Sequence, residues 1–485
     1  MKTLRYTMCM GLLLSLMLFS GCEDELNVIN ENQPDTERVL KTAEDAKSVV
    51  DGSMAAWFEG TNGYNVLIFN LAADQITTTN AWRSFWNFAK EPRVAFDNTT
   101  ISREKIHLED IWEDMYGAIT SANDVLKVIS SGKTDMGDDQ AAYEAAAYFV
   151  KGLGHAILAT CIDQAFIIEI DSEVEDLELK PYAEVIEAAM TNFDKAIQLC
   201  GSNTFTLNAA FINGITVDNV LLGQLANSMA ARYSVAVART ASENNAVNWS
   251  KVLSYAQNGI EADIMPVNGG ENSLWFAAGT GFAWFGPDMR VDQRILNMLD
   301  PNQPLMHPLE GAAPLVESDD SRAETYLQWQ DNFGWLKPER GRELFSSYTY
   351  VKYGNTDEGD GVIPLFEHYE NDLLKAEAMI RTSGPDADAA ALINKSRVAN
   401  GNLAALTGDE SQEDMLEALF YERELELMLT TLGLGWSDMR RRDMLQAGTM
   451  LHLPIPAKEL GVLQMPLYTF TPGQEGTASG ANAWK

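Results

Sequence analysis

Five short stretches in the last third of the chain decide how it folds. They are HYENDLLKAEAMIR (368–381), INKSR (393–397), FYERELEL (420–427), GWSDMRR (435–441) and LPIPAKEL (453–460). The first places Leu373, Leu374, Ala376 and Ala378 on a helical repeat, with Glu370 and Glu377 seven residues apart and therefore on one helix face. Glu422, Arg423 and Glu424 open a charged run that is answered by Asp438, Arg440, Arg441 and Arg442. Opposite charges at that density read as an ion-pair network clamping the last long helix to the loop after it. Pro454 and Pro456 fix φ and so hold an extended segment leaving the helices.

Working outward, helical periodicity dominates. Thr42 with Glu44 and Asp45 caps a helix predicted to run to Glu59. Ile111, Met115, Ile119, Ala122 and Leu126 form the stripe of a helix over 102–129. An Ala-rich helix follows over 138–161, its small residues suited to close contacts, and Pro181 opens the next. Segments 217–239 and 249–260 form another pair, and later helices are expected over 366–382, 386–400 and 411–431. The fold class is mainly α, with helix pairs resembling tetratricopeptide repeats of irregular period, and little β. Residues 263–365 are rich in Gly, Pro, Trp and Asp, a loop-rich irregular region with a strand near Tyr348–Lys352. The Gly/Ala/Ser-rich tail from Thr471 reads as frayed. Trp57 and Trp112 fall on core helix faces, and Cys161 and Cys200 read as small core or boundary residues.

The 485 residues carry 35 Lys+Arg against 70 Asp+Glu, a net charge of −35. That excludes the basic footprint of a nucleic-acid binder and disfavours adhesion to anionic membranes through side chains. Five His and four Cys rule out a Cys/His metal array or a disulfide scaffold. NTDEGDG (355–361) gathers Asp357, Glu358 and Asp360 around glycines. It reads as a solvated turn, although hard oxygens of this kind also suit Ca²⁺. Its spacing is not that of an EF-hand loop, and no cofactor is expected. No H-E-x-x-H, C-x-x-C or P-loop is present.

The N-terminus sets the compartment. Lys2 and Arg5 precede a short apolar run, Met8 to Phe19, and the small residues Ser20 and Gly21 precede Cys22. The run is shorter than the roughly 20 residues of a membrane span and reads as a signal peptide over 1–21. The junction resembles a bacterial lipobox, in which Cys22 is lipidated, and 22–38 becomes an acidic tether.

Taken together, the five C-terminal stretches resemble, in order, motifs of the SusD/RagB family of outer-membrane nutrient-binding lipoproteins. Weaker likeness extends upstream through AAYFVKGLGHAILATC, PYAEVIEAAMTNFDKAI and LANSMAARYSVAVA. Glu23, Asp24 and Glu25 after Cys22 are similar to the export signal that carries such lipoproteins to the cell surface. The resemblance implies two parts packed as one domain, 39–262 and 263–485. It implies oligosaccharide capture, delivery to a SusC-like TonB-dependent transporter, and a lipid anchor in the outer membrane with the protein facing outward. It implies no enzyme activity. Peptide capture within the family and an extracellular glycoside hydrolase are the alternatives. For the second, Glu422 and Asp438 are conceivable carboxylates, although the resemblance assigns them to the scaffold. The chain departs from the family where Glu-Gly-x-Arg-Trp is usual: Leu432 and Gly435 replace the Glu and the Arg. These positions are expected to face each other, the pair exchanged for apolar packing.

Sugar binding rests on aromatic clusters in the loops. Trp82, Phe85, Trp86 and Phe88 are interleaved with Asn80, Arg83 and Asn87; Phe85 is the member expected to point the other way. Trp275, Phe276, Phe282, Trp284 and Phe285 form a second cluster, and Trp329, Phe333 and Trp335 a third. A flat ring offers dispersion and apolar contact to a pyranose face, while Asn, Asp and Arg bond its hydroxyl rim. Such rings equally well plug the loop region's own core. The ligand-binding candidates are Trp82, Trp86, Asn80, Arg83, Trp275 and Trp284.

Overall fold

Helix starts follow from side chains that satisfy the first free amides. In the computed structural model, which describes residues 40–269, 273–284, 288–308, 313–331, 334–353 and 361–484, Thr42 and Asp45 form a reciprocal capping box. Thr42 Oγ1 accepts from the Asp45 amide at 3.1 Å and Asp45 Oδ2 accepts from the Thr42 amide at 2.9 Å. This opens α1 (Ala43–Asn62), one turn longer than its sequence pattern suggests. The leader 1–21, Cys22, the tether, Phe285, Phe333 and the acidic trio Asp357, Glu358 and Asp360 lie outside the described residues, as does the side chain of Trp284.

The short α2 (Val66–Ala72) leads to α3 (Lys105–Ser131), α4 (Gln140–Cys161), α5 (Tyr182–Ser202), α6 (Asn219–Ala236) and α7 (Trp249–Gln257). α3 to α6 pack each on the next, α1 lies against α3, and α7 lies on α6. The predicted stripe of α3, from Ile111 to Leu126, is buried. A Cβ on Gly152 would meet the Phe193 ring at 2.8 Å, and one on Gly154 the Ile119 side chain at 2.7 Å, so the small residues of α4 set how closely its neighbours approach. Beyond the loop region, which carries α8 (Ala278–Trp284), come α9 (His368–Ser383), α10 (Ala387–Arg397), α11 (Gln412–Glu426) and α12 (Leu434–Arg440). α9 packs on α7 and so continues the helical array. Trp57 and Trp112 are core residues, and Cys161 and Cys200 are buried free thiols.

Strands are short and paired two by two, all antiparallel. β1 (Ile76–Thr77) pairs β7 (Arg290–Val291), with Ile76 opposite Val291. β2 (Gln164–Phe166) pairs β3 (Leu179–Pro181), and β4 (Thr206–Ile212) pairs β5 (Ile215–Asp218). β6 (Val267–Asn268) pairs β10 (Gly361–Val362), and β8 (Leu327–Trp329) pairs β9 (Tyr348–Tyr350), the latter at the strand expected from TYVKY.

The ion-pair network of the C-terminal third is present and buried. Arg423 and Arg441 both bond Asp438, at 2.7 and 2.8 Å, and Arg441 also forks onto Glu377 at 2.6 and 2.7 Å. Glu370, seven residues earlier on the same helix, takes Arg232 of α6 at 2.7 and 2.5 Å. Arg322 reaches Asp320, Glu422 and Glu426 at 2.7, 2.6 and 2.9 Å, with every one of these side chains at or near zero exposure. Glu422 and Asp438 are thus scaffold carboxylates held by arginines.

Two expectations are corrected. Position 435 is not an apolar exchange with Leu432. A Cβ on Gly435 would lie 2.3 Å from the Gln75 amide, and Gln75 Nε2 donates to Glu424 at 2.8 Å beside a bond from Arg294 to the same oxygen. The surroundings are polar, and Gly leaves room for Gln75. The tail is not frayed either. Gly448 N donates to the Ala478 carbonyl and Ala478 N to that of Thr449, and Trp484 Nε1 donates to Asp74 Oδ2 at 3.2 Å.

Candidate functional site

The strand pair β1–β7 brings the residues after Thr77 beside those before Arg290. Thr78 Oγ1 donates to the Asp288 carbonyl at 2.6 Å, and Asn80 Nδ2 donates to the Asp288 carboxylate at 2.5 Å. Asn80 Oδ1 in turn accepts from the Trp82 amide at 2.9 Å, an Asx turn that fixes where Trp82 leaves the chain. On the other side, Thr79 accepts from the Lys337 amide at 2.6 Å through Oγ1 and from Arg340 Nη1 at 3.1 Å through its carbonyl.

Arg83 and Ser84 then adopt left-handed backbone, with φ of 48° and 59°. Two consecutive non-Gly residues there cost on the order of 1 kcal/mol each. The reversal layers the two rings: Trp82 is 43% exposed, and Phe85, its centroid 5.7 Å away, is 0% exposed, so Phe85 lies beneath Trp82 rather than pointing away from it as expected. Trp82 stands against the Tyr64 edge (centroids 5.0 Å, planes 86° apart) and beside Phe282 (5.1 Å, 35°). Tyr64 and Phe282 also meet, at 5.6 Å. The Arg83 guanidinium lies 4.7 Å from the Tyr64 centroid and 5.0 Å from that of Trp82, within cation–π range. The result is an open ledge of three mutually braced rings with a guanidinium at its rim.

Acids from α1 and α3 border this ledge. Asp110 Oδ2 lies 3.9 Å from Arg83 Nη1. Asp114, one turn further along α3, sits against Gly60 of α1. Burial, then the charges of Asp110 and Glu59, push Asp114 up to about 7. Burial also raises Asp110, with Arg83 opposing it, and burial raises Asp288 against the Asn80 bond.

Residues 30–211, which carry Tyr64, Asn80, Trp82, Arg83 and the acids of α3, match a family model described as SusD-like, "Starch-binding associating with outer membrane". Over those residues the chain is similar to SusD-like proteins. Solved structures agree on the fold. A SusD homologue from Bacteroides thetaiotaomicron superposes with a TM-score of 0.66 at 14% identity, covering 90% of this chain and 98% of that one. A SusD superfamily protein from Parabacteroides distasonis gives 0.63 at 15% identity, over 86% and 97% of the two chains. A SusD-like carbohydrate binding protein from Bacteroides vulgatus gives 0.60 at 17%, over 82% and 83%. No curated protein sequence matches. The family model covers the N-terminal part, whereas the motifs legible by eye lie in the last third.

The remaining candidates do not all converge on the ledge. Trp86 is half-buried and stands apart, with Lys90 Nζ 4.6 Å from its ring centroid. Trp275 is a core residue, which corrects its reading as a ligand contact: it is 5% exposed and packs on Phe58 with centroids 4.6 Å apart. Trp284 ends α8, with its side chain outside the described residues. Trp335 is 71% exposed and lies two residues before the Lys337 amide that ties down Thr79. Tyr64 escaped notice in the sequence, since a single Tyr behind the helix-ending Gly63 carries no motif. Clefts of about 530, 520 and 460 Å³ are lined by other, mainly polar residues such as Asp319, Arg397, Lys375 and Glu324. Among the described residues no helix is long and apolar enough to cross a membrane, and no group of three or more His, Cys, Asp or Glu could hold a metal ion.

Proposed function

We propose that this SusD-like chain captures oligosaccharides on the ledge formed by Trp82, Tyr64 and Phe282. Asn80 and Arg83 bond the hydroxyl rim, and Trp335 extends the contact. The observation that carries this reading is the exposure of Trp82 while two other rings brace it. A braced indole loses little side-chain freedom when a sugar lies on it. A pyranose that covers about 50 Å² of apolar surface gains roughly 1–2 kcal/mol per ring, so capture needs several rings in register. Binding suffices for this role and no covalent step is proposed. The two carboxylates conceivable as a hydrolase pair, Glu422 and Asp438, are both committed to buried ion pairs. We extend the reading, on the resemblance to the SusD/RagB family, to a protein anchored through Cys22 on the outer face of the outer membrane. There it serves a SusC-like TonB-dependent transporter as a lid, with its helical face against the partner.

The test is retention of purified protein on a panel of polysaccharides in native gels, followed by calorimetry on those that retain it. Trp82→Ala lowers affinity about tenfold or more on the true ligand, and Trp335→Ala lowers it less. Equal retention of wild type and Trp82→Ala on every retained sugar rejects the ledge as the site. New reducing ends in the glycan after incubation would point to the hydrolase alternative.

A further inference from the structure

Trp82 is placed by a turn that holds two non-Gly residues in the left-handed region, and such a turn persists only where its surroundings hold it. The group that holds it comes from a different helix. His107 of α3 is 0% exposed, and its Nε2 lies 2.9 Å from the Arg83 carbonyl oxygen. Its Nδ1 lies 3.3 Å from the Asn65 Oδ1 oxygen, on the loop that carries Tyr64. The imidazole packs on Phe85 with centroids 5.0 Å apart and on Phe88 at 5.6 Å. One buried side chain therefore touches the turn that carries Trp82, the residue beside Tyr64, and the ring beneath the ledge. No charge is needed for this. Burial holds the ring neutral, with a pKa of about 4, so it carries a single N–H; on Nε2, the nitrogen at the shorter contact, that hydrogen donates to the Arg83 carbonyl, and Nδ1 then makes no hydrogen bond to the Asn65 oxygen.

We infer that His107 is a positioning residue for ligand capture, fixing Trp82 through the Arg83 carbonyl; this rests on the ledge being the binding surface. A carbonyl turned inward by left-handed backbone finds no partner in a regular ladder, and one left unbonded there would drive the turn to relax. Relaxation to right-handed backbone at Arg83 and Ser84 would swing the indole away from Tyr64 and Phe282. His107 never touches the sugar in this arrangement. Its effect is the orientation of a ring that does.

The test uses the full chain and the glycan that retains wild type best. His107→Leu keeps apolar bulk and removes the donor. It is expected to lower affinity about tenfold while the folded fraction, followed by circular dichroism at the assay temperature, stays complete. His107→Gln restores a donor and recovers at least half of that loss in log affinity. Ser84→Gly relieves the left-handed strain without touching the ledge. It leaves wild-type affinity within twofold and restores several-fold in the His107→Leu background, a non-additivity that simple core packing does not produce. Wild-type affinity in folded His107→Leu, or a loss that neither Gln nor Ser84→Gly repairs, overturns the inference. Trp82→Ala is measured alongside: if it binds as wild type, the ledge itself has failed. If it binds weakly while His107→Leu does not, only the positioning role has failed.

Discussion

Gly279 of α8 lies so close to Gly63 that a Cβ built on it would stand 2.3 Å from the Gly63 carbonyl oxygen, and equally near a Val66 methyl. Backbone cannot yield as a flexible side chain does. This contact seats α8 on the end of α1, and so sets Phe282 against Tyr64 and Trp82. Gly279→Ala is expected to lift α8 and open the ledge. Overpacking of this kind costs about 1–3 kcal/mol, measurable by urea denaturation. Glycan affinity should fall several-fold in the folded variant. Unchanged affinity would show that Phe282 is dispensable to the surface.

Trp82 and Trp275 are both loop tryptophans, and a pair of substitutions separates their roles. Trp275→Ala removes a buried indole from Phe58 and should cost about 3–5 kcal/mol of stability. Trp82→Ala removes a half-exposed ring held by edge contacts and should cost about 1–2 kcal/mol, its larger effect falling on glycan binding. The reverse ranking in urea midpoints would place Trp82 in the core and Trp275 at the surface.

The scaffold was legible and the ledge only in part, for a physical reason: Asn80, Trp82 and Arg83 stand out as one aromatic and polar run, whereas Tyr64 does not. Arg423 and Asp438 are fifteen residues apart, and Glu370 and Glu377 repeat at a helical spacing, so charge pattern and periodicity announce the clamp. Helix starts are equally local, as at Thr42, where one box of four residues holds the information. The ledge joins Tyr64, Trp82 and Phe282 from three distant segments, and its members look no different from their neighbours. Phe85 and Trp275 sit in the same aromatic runs and are buried. What sorts them is a left-handed turn at Arg83 and a close helix approach at Gly279, neither of which has a residue pattern of its own. Trp335 entered through the Thr79–Lys337 bond, 258 residues apart in the chain.

Asp114 makes stability depend on pH in a direction opposite to ordinary salt-bridged acids. Its folded pKa, about 7, lies above the usual value of 3.8. Between those two values the folded chain binds more protons than the unfolded one, so this group's contribution falls as pH rises through the window. Asp114→Asn removes the penalty. It should stabilise the protein at about pH 8, by about 1–2 kcal/mol once partial exposure is discounted from 1.36 kcal/mol per unit, and leave stability unchanged at about pH 4. Equal urea midpoints for the two proteins at about pH 8 would contradict the burial and crowding of Asp114 by Asp110 and Glu59.

Arg322 holds three buried carboxylates, Asp320, Glu422 and Glu426, and this sharing predicts how its loss would be felt. Burial, and to a lesser degree the charge of Glu426, pushes Glu422 up, and Arg322 is the main group opposing that rise, with Ser396 beside it. Arg322→Met keeps much of the volume and removes the cation, leaving anions without their main counter-charge. Breaking such a cluster costs about 3–5 kcal/mol at neutral pH, as for other unpaired buried charges. The sign with pH follows. Without Arg322 the Glu422 carboxyl, already raised by burial, rises further above its unfolded value, so the folded variant takes up a proton that the unfolded chain does not. The deficit relative to wild type therefore shrinks as pH falls toward about 4 and Glu422 becomes neutral. Paired urea melts of wild type and Arg322→Met across that range measure it directly. A deficit that stays constant with pH would mean that Arg322 contributes packing rather than charge to this part of the scaffold.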